Sequence, residues 1–381
     1  MKRILYGLLL ILGSQYNAWS VEAVFTTEDL VINSKKLGET RNLVVYLPAG
    51  YSKSDAHYPV LYVTDGDIQG PHTAGTLDYL AKFDQAPQMI VVGIVNPRET
   101  RERDLTLTLT LTLTSADKQS PEQLANADLF LAFVEQEVIP EVKARYRTLD
   151  YQGLAGTSHG GQFAINALVK RPGLFNGVVA VSPSLYWNKS QLLTLTETAL
   201  KRGSLQGRLY ISIAQEEPTM TEPFANFVAL IKHYPKQQLA VTSQTFSNET
   251  HNTTALLGQY YGVKYLFDGW AIPETPQTLA DLQAIFATRS SLLKTSMIIP
   301  EDRAAGYGQW LQYLNRQDDA LALLNWNTEN YPHSLHAHTA LINAYLHFNM
   351  EDEAKQALGT ALQLIKGLST EQKDQLQGLF L

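Results

Sequence analysis

The stretch Gly156-Thr157-Ser158-His159-Gly160-Gly161 sets a serine two residues from a glycine on either side. A serine hydroxyl is a weak nucleophile at neutral pH. It becomes effective when an imidazole takes its proton and a carboxylate orients the imidazole. The chemistry implied is acyl transfer: attack on a carbonyl, a covalent acyl-serine, and release to water or another acceptor. The pattern is short enough to arise by chance, so the rest of the chain must supply a base, an acid and donors for an oxyanion.

A nucleophile on a strand-to-helix elbow is followed along the chain by the acid and then by the histidine. Of the nine histidines, His57 and His72 precede Ser158, and His333, His336, His338 and His347 lie in a helical C-terminal region. His159 adjoins the serine, and its useful group is its main-chain N–H. His233 ends a helical stretch. His251 follows the last strand-like run, in TFSNETHNTT, on the sheet edge where catalytic groups of open α/β folds gather. It is the expected base. No aspartate lies between Ser158 and His251. The glutamates there are Glu197, Glu216, Glu217, Glu222 and Glu249. Glu197 sits in a helical stretch and Glu249 in the loop of the histidine. Glu216 and Glu217 sit just past a strand, and Glu217 is the expected acid with Glu216 in reserve. The oxyanion donors expected are the main-chain N–H groups of His159 and, from the early loop VTDGDIQG, of Asp67. Asp65 and Asp67 alone make a poor metal site; neither metal nor cofactor is expected.

These groups must be carried by a sheet. LVINSKK and RNLVVYLPAGY read as two strands. YPVLYVTDGD, QMIVVGIVN, YQGLAG, FNGVVAVSP, GRLYISIA and QLAVTSQTF supply six more. Several are near-continuous apolar runs, as strands buried on both faces require. Helical segments separate most of them, including residues 123–146, where Leu124, Leu129, Phe133, Val134 and Val138 recur at helical spacing. The rhythm predicts an α/β fold: a mostly parallel sheet with helices on both faces. DLTLTLTLTLTS (104–115) alternates like a strand, but its polar flanks favour a short repeat expanded within a loop.

The chain begins MKRILYGLLLILGSQYNAWS: Lys2 and Arg3, an apolar run from Ile4 to Gly13, and Ala18-Trp19-Ser20 as a small-x-small site. This is the form of a secretory signal peptide, with cleavage expected after Ser20 and a periplasmic or secreted product. The rival is an uncleaved anchor, although the run is short for a bilayer. Losing Lys2 and Arg3 takes the formal charge from −7 to −9, which offers no footprint for nucleic acid. There are no cysteines, so neither disulfides nor thiol chemistry arise. No later apolar run is long enough to span a membrane.

From about residue 301 the pattern becomes helix only. Ala320 lies twelve residues before Pro332 and thirty-four before Ala354; Tyr345 lies nine before Ala354 and Ala361 seven after it. These offsets fit a tetratricopeptide-like repeat, although the first repeat has Leu311 and Asn327 where Tyr and Ala are usual. Ser369 and Gln372 are spaced for a capping box on a final helix. The expected organisation is a leader over 1–20, the α/β domain over 21–275, a helical linker over 276–300 and helical repeats over 301–381. So short a repeat module should pack on the main domain, a protein partner or a second copy.

Taken together, VVYLPAGY, YPVLYVTDGD, VVGIVN with RERDLT, FVEQEVIPEVKARYRT, GLAGTSHGGQFA and VSPSLYWN resemble an esterase family of α/β-hydrolases. That family includes siderophore-ester hydrolases, feruloyl esterases, S-formylglutathione hydrolases and mycolyl transferases. The likeness spans roughly residues 25–270 and is nearest the siderophore-esterase-like branch. It implies a serine carboxylic-ester hydrolase with Ser158 and His251 catalytic and Glu217 at the acid position. The departure is RERDLTLTLTLTLTS, where the family usually continues with proline and a loop near the site. Tyr186 and Trp187 are expected to wall the substrate pocket, with ordinary packing as the alternative, and Arg103 to meet an anionic substrate group, with a solvated loop arginine as the alternative. Two rivals stand beside hydrolysis of a small-molecule ester: acyl transfer to an alcohol, and a non-catalytic protein that binds through its helical repeats.

Overall fold

The computed structural model describes residues 25–107, 126–235, 238–365, 367 and 369–380. The expected leader, and the Leu/Thr alternation from residue 108 to 115, lie outside these residues.

Eight strands form one sheet: β1 (Phe25–Ser34), β2 (Glu39–Pro48), β3 (Tyr58–Thr64), β4 (Ile90–Ile94), β5 (Thr148–Thr157), β6 (Gly177–Val181), β7 (Gln206–Ala214) and β8 (Gln238–Phe246). Their spatial order is β1-β2-β4-β3-β5-β6-β7-β8. β1 and β2 form a hairpin, and β2 meets β4 antiparallel. The remaining six strands run parallel. Every residue of β3, β4 and β6 is buried, which explains their unbroken apolar sequence.

The two-residue period of a strand divides these side chains between two cores. Val60, Tyr62, Leu154, Val178 and Ala180 face one core, against α3 (Ala127–Phe133), α5 (His159–Lys170), α6 (Trp187–Lys201) and α7 (Pro218–His233). Leu61, Val63, Ala155, Val179 and Val181 face the other, against α1 (Gly66–Lys82), α8 (Thr254–Leu266) and α9 (Leu279–Leu293). α2 (Arg98–Leu105) follows β4. The helical stretch read from the sequence is α3, a π-helical turn over Val134–Val138, and α4 (Ile139–Arg145). Pro140, in the first turn of α4, has no N–H and its ring crowds the turn before it; a wider turn accommodates both effects.

The C-terminal part is helical throughout: α10 (Glu301–Tyr313), α11 (Gln317–Asn330), α12 (Leu335–His347), α13 (Glu351–Leu364) and α14 (Thr370–Gln377). Ala304, Ala320, Ala340, Ala354 and Ala361 are buried between these helices, where small side chains allow close approach. Ser369 and Gln372 make the capping box that opens α14. Asp84, just after α1, accepts from both Arg289 (2.6 Å) and Arg303 (3.2 Å), which ties α9 and α10 to the sheet domain. Among the described residues, no helix is long and apolar enough to cross a membrane.

Candidate active site

β5 ends at Thr157 and α5 begins at His159, so Ser158 is the single residue of the turn. Its backbone has φ 60° and ψ −120°, a strained conformation that a non-glycine residue keeps only when its surroundings impose it. The flanking glycines make that turn sterically feasible. A Cβ on Gly156 would lie 2.2 Å from Gly160 O, and a Cβ on Gly160 would lie 2.2 Å from Thr64 Oγ1. The strand and helix therefore approach more closely than any side chain allows.

Ser158 opens into a cleft of about 980 Å³ whose lining includes Ser184, Tyr186, Glu216, Glu217, Glu249 and His251. His251 lies in the turn between β8 and α8. Its Nδ1 is 2.9 Å from Glu216 Oε2. Burial alone would raise the Glu216 carboxyl. Hydrogen bonds from His251 and Ser182, the His251 charge and the Ala214 N–H outweigh burial and hold it below the ordinary range. A carboxylate only accepts, so Nδ1 carries the hydrogen and Nε2 is left for the cleft. The Ser158 hydroxyl has Ser184 Oγ at 3.4 Å.

The acid position departs from the sequence expectation. Glu217 lines the cleft but is exposed, and it stands at the N-terminal boundary of α7, immediately before Pro218, with no side-chain capping bond. Its backbone is still extended (φ −64°, ψ 156°), and the carboxylate bonded to His251 is that of Glu216. Arg103 is a second correction. It does not line the cleft: it bonds Glu39 and Asp104, and Asp104, which is fully buried, also pairs with Arg41. The arginine beside the elbow is Arg101, which grips Asp65 with two bonds of 2.6 and 2.9 Å. Asp65 is thereby occupied, and no group of three or more ligand-type side chains fit for a metal occurs among the described residues.

His159 is the first residue of α5, where main-chain N–H groups have no partner within the helix. Asp67 sits in the first turn of α1, while the N–H of Asp65 is committed to Asn96 Oδ1 at 2.9 Å. The His159 ring packs edge-on against Trp187, with centroids 4.8 Å apart. Burial, then Arg101 and His251, press its pKa down to about 4, so the ring is neutral near pH 7. Tyr186 lines the cleft with 40% of its surface exposed; Trp187, also expected to wall the pocket, is not among the lining residues and packs instead against His159. Beyond Trp187, three successive residues (Asn188, Lys189 and Ser190) hold left-handed backbone, an uncommon cost beside a binding cleft.

Sequence reasoning missed Ser182 and Ser184, which bracket Pro183 at the end of β6. The SPS triplet offered no signal of its own; only the fold brings one hydroxyl to Glu216 and the other to Ser158.

The chain matches the family described as "Putative esterase" over residues 34–263. It is 26% identical over 206 residues to the ferri-bacillibactin esterase BesA of Bacillus subtilis, covering 49% of this chain and 66% of that protein. A shorter match, 41% over 76 residues, joins it to the siderophore triacetylfusarinine C esterase of Aspergillus fumigatus, covering 19% of this chain and 26% of that one. The chain thus spans less than two thirds of either curated relative. Among solved structures, an IroE-like serine hydrolase from Shewanella oneidensis superposes with a TM-score of 0.68 at 27% identity, covering 80% of this chain and 99% of that one. The family match takes in more than half of the residues, and the chain belongs to the esterase family of α/β-hydrolases.

Proposed function

We propose that this protein is an exported serine esterase that cleaves carboxylic esters through an acyl-enzyme. The observation that carries the reading is a pair of facts about one cleft. Ser158, on a strained elbow, and the hydrogen-bonded Glu216–His251 pair line it together. In the first step Ser158 Oγ attacks the ester carbonyl carbon while His251 Nε2 takes its proton. The N–H groups of His159 and Asp67 are the donors assigned to the oxyanion. The imidazolium, balanced by Glu216, returns the proton to the departing alkoxide, and the alcohol leaves. Water, deprotonated by His251, then attacks the acyl-serine; the carboxylic acid departs and Ser158 is restored.

The substrate assigned is a siderophore ester or another small acyl or aryl ester. Two named relatives act on siderophores, and a cleft of about 980 Å³ accepts a ligand of that size. Export is read from the leader, and the C-terminal helices are assigned to self-association or a protein partner. Hydrolysis of p-nitrophenyl acetate and of a panel of siderophore esters by the parent and Ser158→Ala tests the activity. The expected result is turnover by the parent and none above background by the variant. Equal turnover by both would overturn the reading. Product formation with and without an added alcohol separates hydrolysis from acyl transfer. For export, the mature N-terminus in the periplasmic or culture fraction is expected at Val21.

A further inference from the structure

The turn Val181-Ser182-Pro183-Ser184 touches both ends of the proposed relay, although the chemistry above gives it no task. The main chain of the turn clasps the nucleophile. Ser158 N–H donates to Val181 O at 2.9 Å, and Ser184 N–H donates to Ser158 O at 3.1 Å. The side chain of Ser182 reaches the other end. Its hydroxyl donates to Glu216 Oε1, which also accepts from the Ala214 N–H at 3.3 Å, while Oε2 faces His251. Ser182 is wholly buried and holds φ +40°. Glycine would meet that backbone demand with less strain, yet a hydroxyl-bearing residue stands there. Its N–H donates to Ser212 O at 2.7 Å, which fixes the turn to β7, the strand that leads to Glu216.

A carboxylate held by Oε2 alone can rotate about its side-chain bonds. Two donors on Oε1 remove that freedom and leave Oε2 aimed at Nδ1. We propose that Ser182 is a positioning residue of the relay: its hydroxyl locks the Glu216 carboxylate, and its turn fixes the spacing between that acid and Ser158. The inference rests on the ester-hydrolase reading and goes beyond it, because Ser182 touches neither substrate nor reacting atoms.

The test is steady-state hydrolysis of p-nitrophenyl acetate by the full chain and by Ser182→Ala, Ser182→Gly, Glu216→Gln and the double variant Ser182→Ala/Glu216→Gln, with Ser158→Ala as reference. A hydrogen bond to a charged group predicts kcat lower by about tenfold to a hundredfold in Ser182→Ala, with KM little changed. Ser182→Gly, relieved of backbone strain, should unfold at no lower temperature than Ser182→Ala yet be equally slow. In the Glu216→Gln background, Ser182→Ala should cost little more, because both act through one group. Parental kcat in both Ser182 variants, activity that tracks thermal stability, or fully multiplicative losses in the double variant would each overturn the proposal. Parental activity in Ser158→Ala would instead bring down the esterase reading beneath it.

Discussion

His251 Nδ1 donates to Glu216 Oε2 at 2.9 Å, joining an imidazole with 37% of its side chain exposed to a carboxylate with 5%. The base can therefore meet a substrate while its acid is shielded from competing water. Removing the charge at that acid should leave the imidazole without its fixed tautomer. Glu216→Gln is expected to lower kcat by about a thousandfold or more. Glu217→Gln, whose parent side chain is exposed at the start of α7, should stay within about twofold of the parent. Steady-state hydrolysis of p-nitrophenyl acetate by the two variants decides which glutamate acts.

The lowered Glu216 carboxyl also makes a statement about stability. A carboxyl whose folded pKa lies below its unfolded value contributes stability above the unfolded value, about 4.3 for glutamate. That contribution is lost as pH falls through the folded value. The difference in unfolding temperature between the parent and Glu216→Gln should therefore be steady near pH 7 and shrink below about pH 4. Thermal unfolding followed by circular dichroism across that range measures it.

Arg103 should affect folding rather than substrate binding. Asp104 is fully buried between Arg41 and Arg103, and removing it leaves the Arg41 guanidinium buried without that carboxylate. Asp104→Ala is expected to cost about 3–5 kcal/mol. Arg103→Met should cost about 1 kcal/mol, since Arg41 still holds Asp104. In Arg103→Met, KM for p-nitrophenyl acetate should match the parent. Urea unfolding and steady-state kinetics on the same preparations separate the two effects.

The cleft carries Glu217 and Glu249 in addition to Glu216, and its lining includes neither lysine nor arginine among the described residues. A negatively charged ester should meet repulsion there that a neutral one does not. The double variant Glu217→Gln/Glu249→Gln is expected to raise kcat/KM for p-nitrophenyl hemisuccinate about threefold to tenfold at low salt. It should leave p-nitrophenyl acetate nearly unchanged. The gain should fade at 0.5 M salt, where screening acts over about 4 Å.

The elements that carry the site were legible because their signals are local. The apolar runs of β3, β4 and β6 and the glycines around Ser158 follow from burial on both faces and from one tight turn. Chain order then singled out His251. The choice between Glu216 and Glu217 was not legible. It depends on where β7 ends and α7 begins: both glutamates line the cleft, and one residue of offset decides which of them meets His251. Arg103 could not be placed either: one partner, Glu39, belongs to β2, and only sheet pairing brings it near. Ser182 and Ser184 look like ordinary turn residues until β5, β6 and β7 lie side by side.

The account turns on Ser158 as the atom that becomes acylated. Its most direct test is labelling of the full chain by a fluorophosphonate, followed by peptide mass spectrometry and a parallel hydrolysis assay. The account predicts one adduct, on the peptide containing Ser158, with p-nitrophenyl acetate hydrolysis lost in step with labelling and Ser158→Ala both unlabelled and inactive. An adduct on another residue, or hydrolysis that survives complete labelling or the Ser158→Ala substitution, would contradict it.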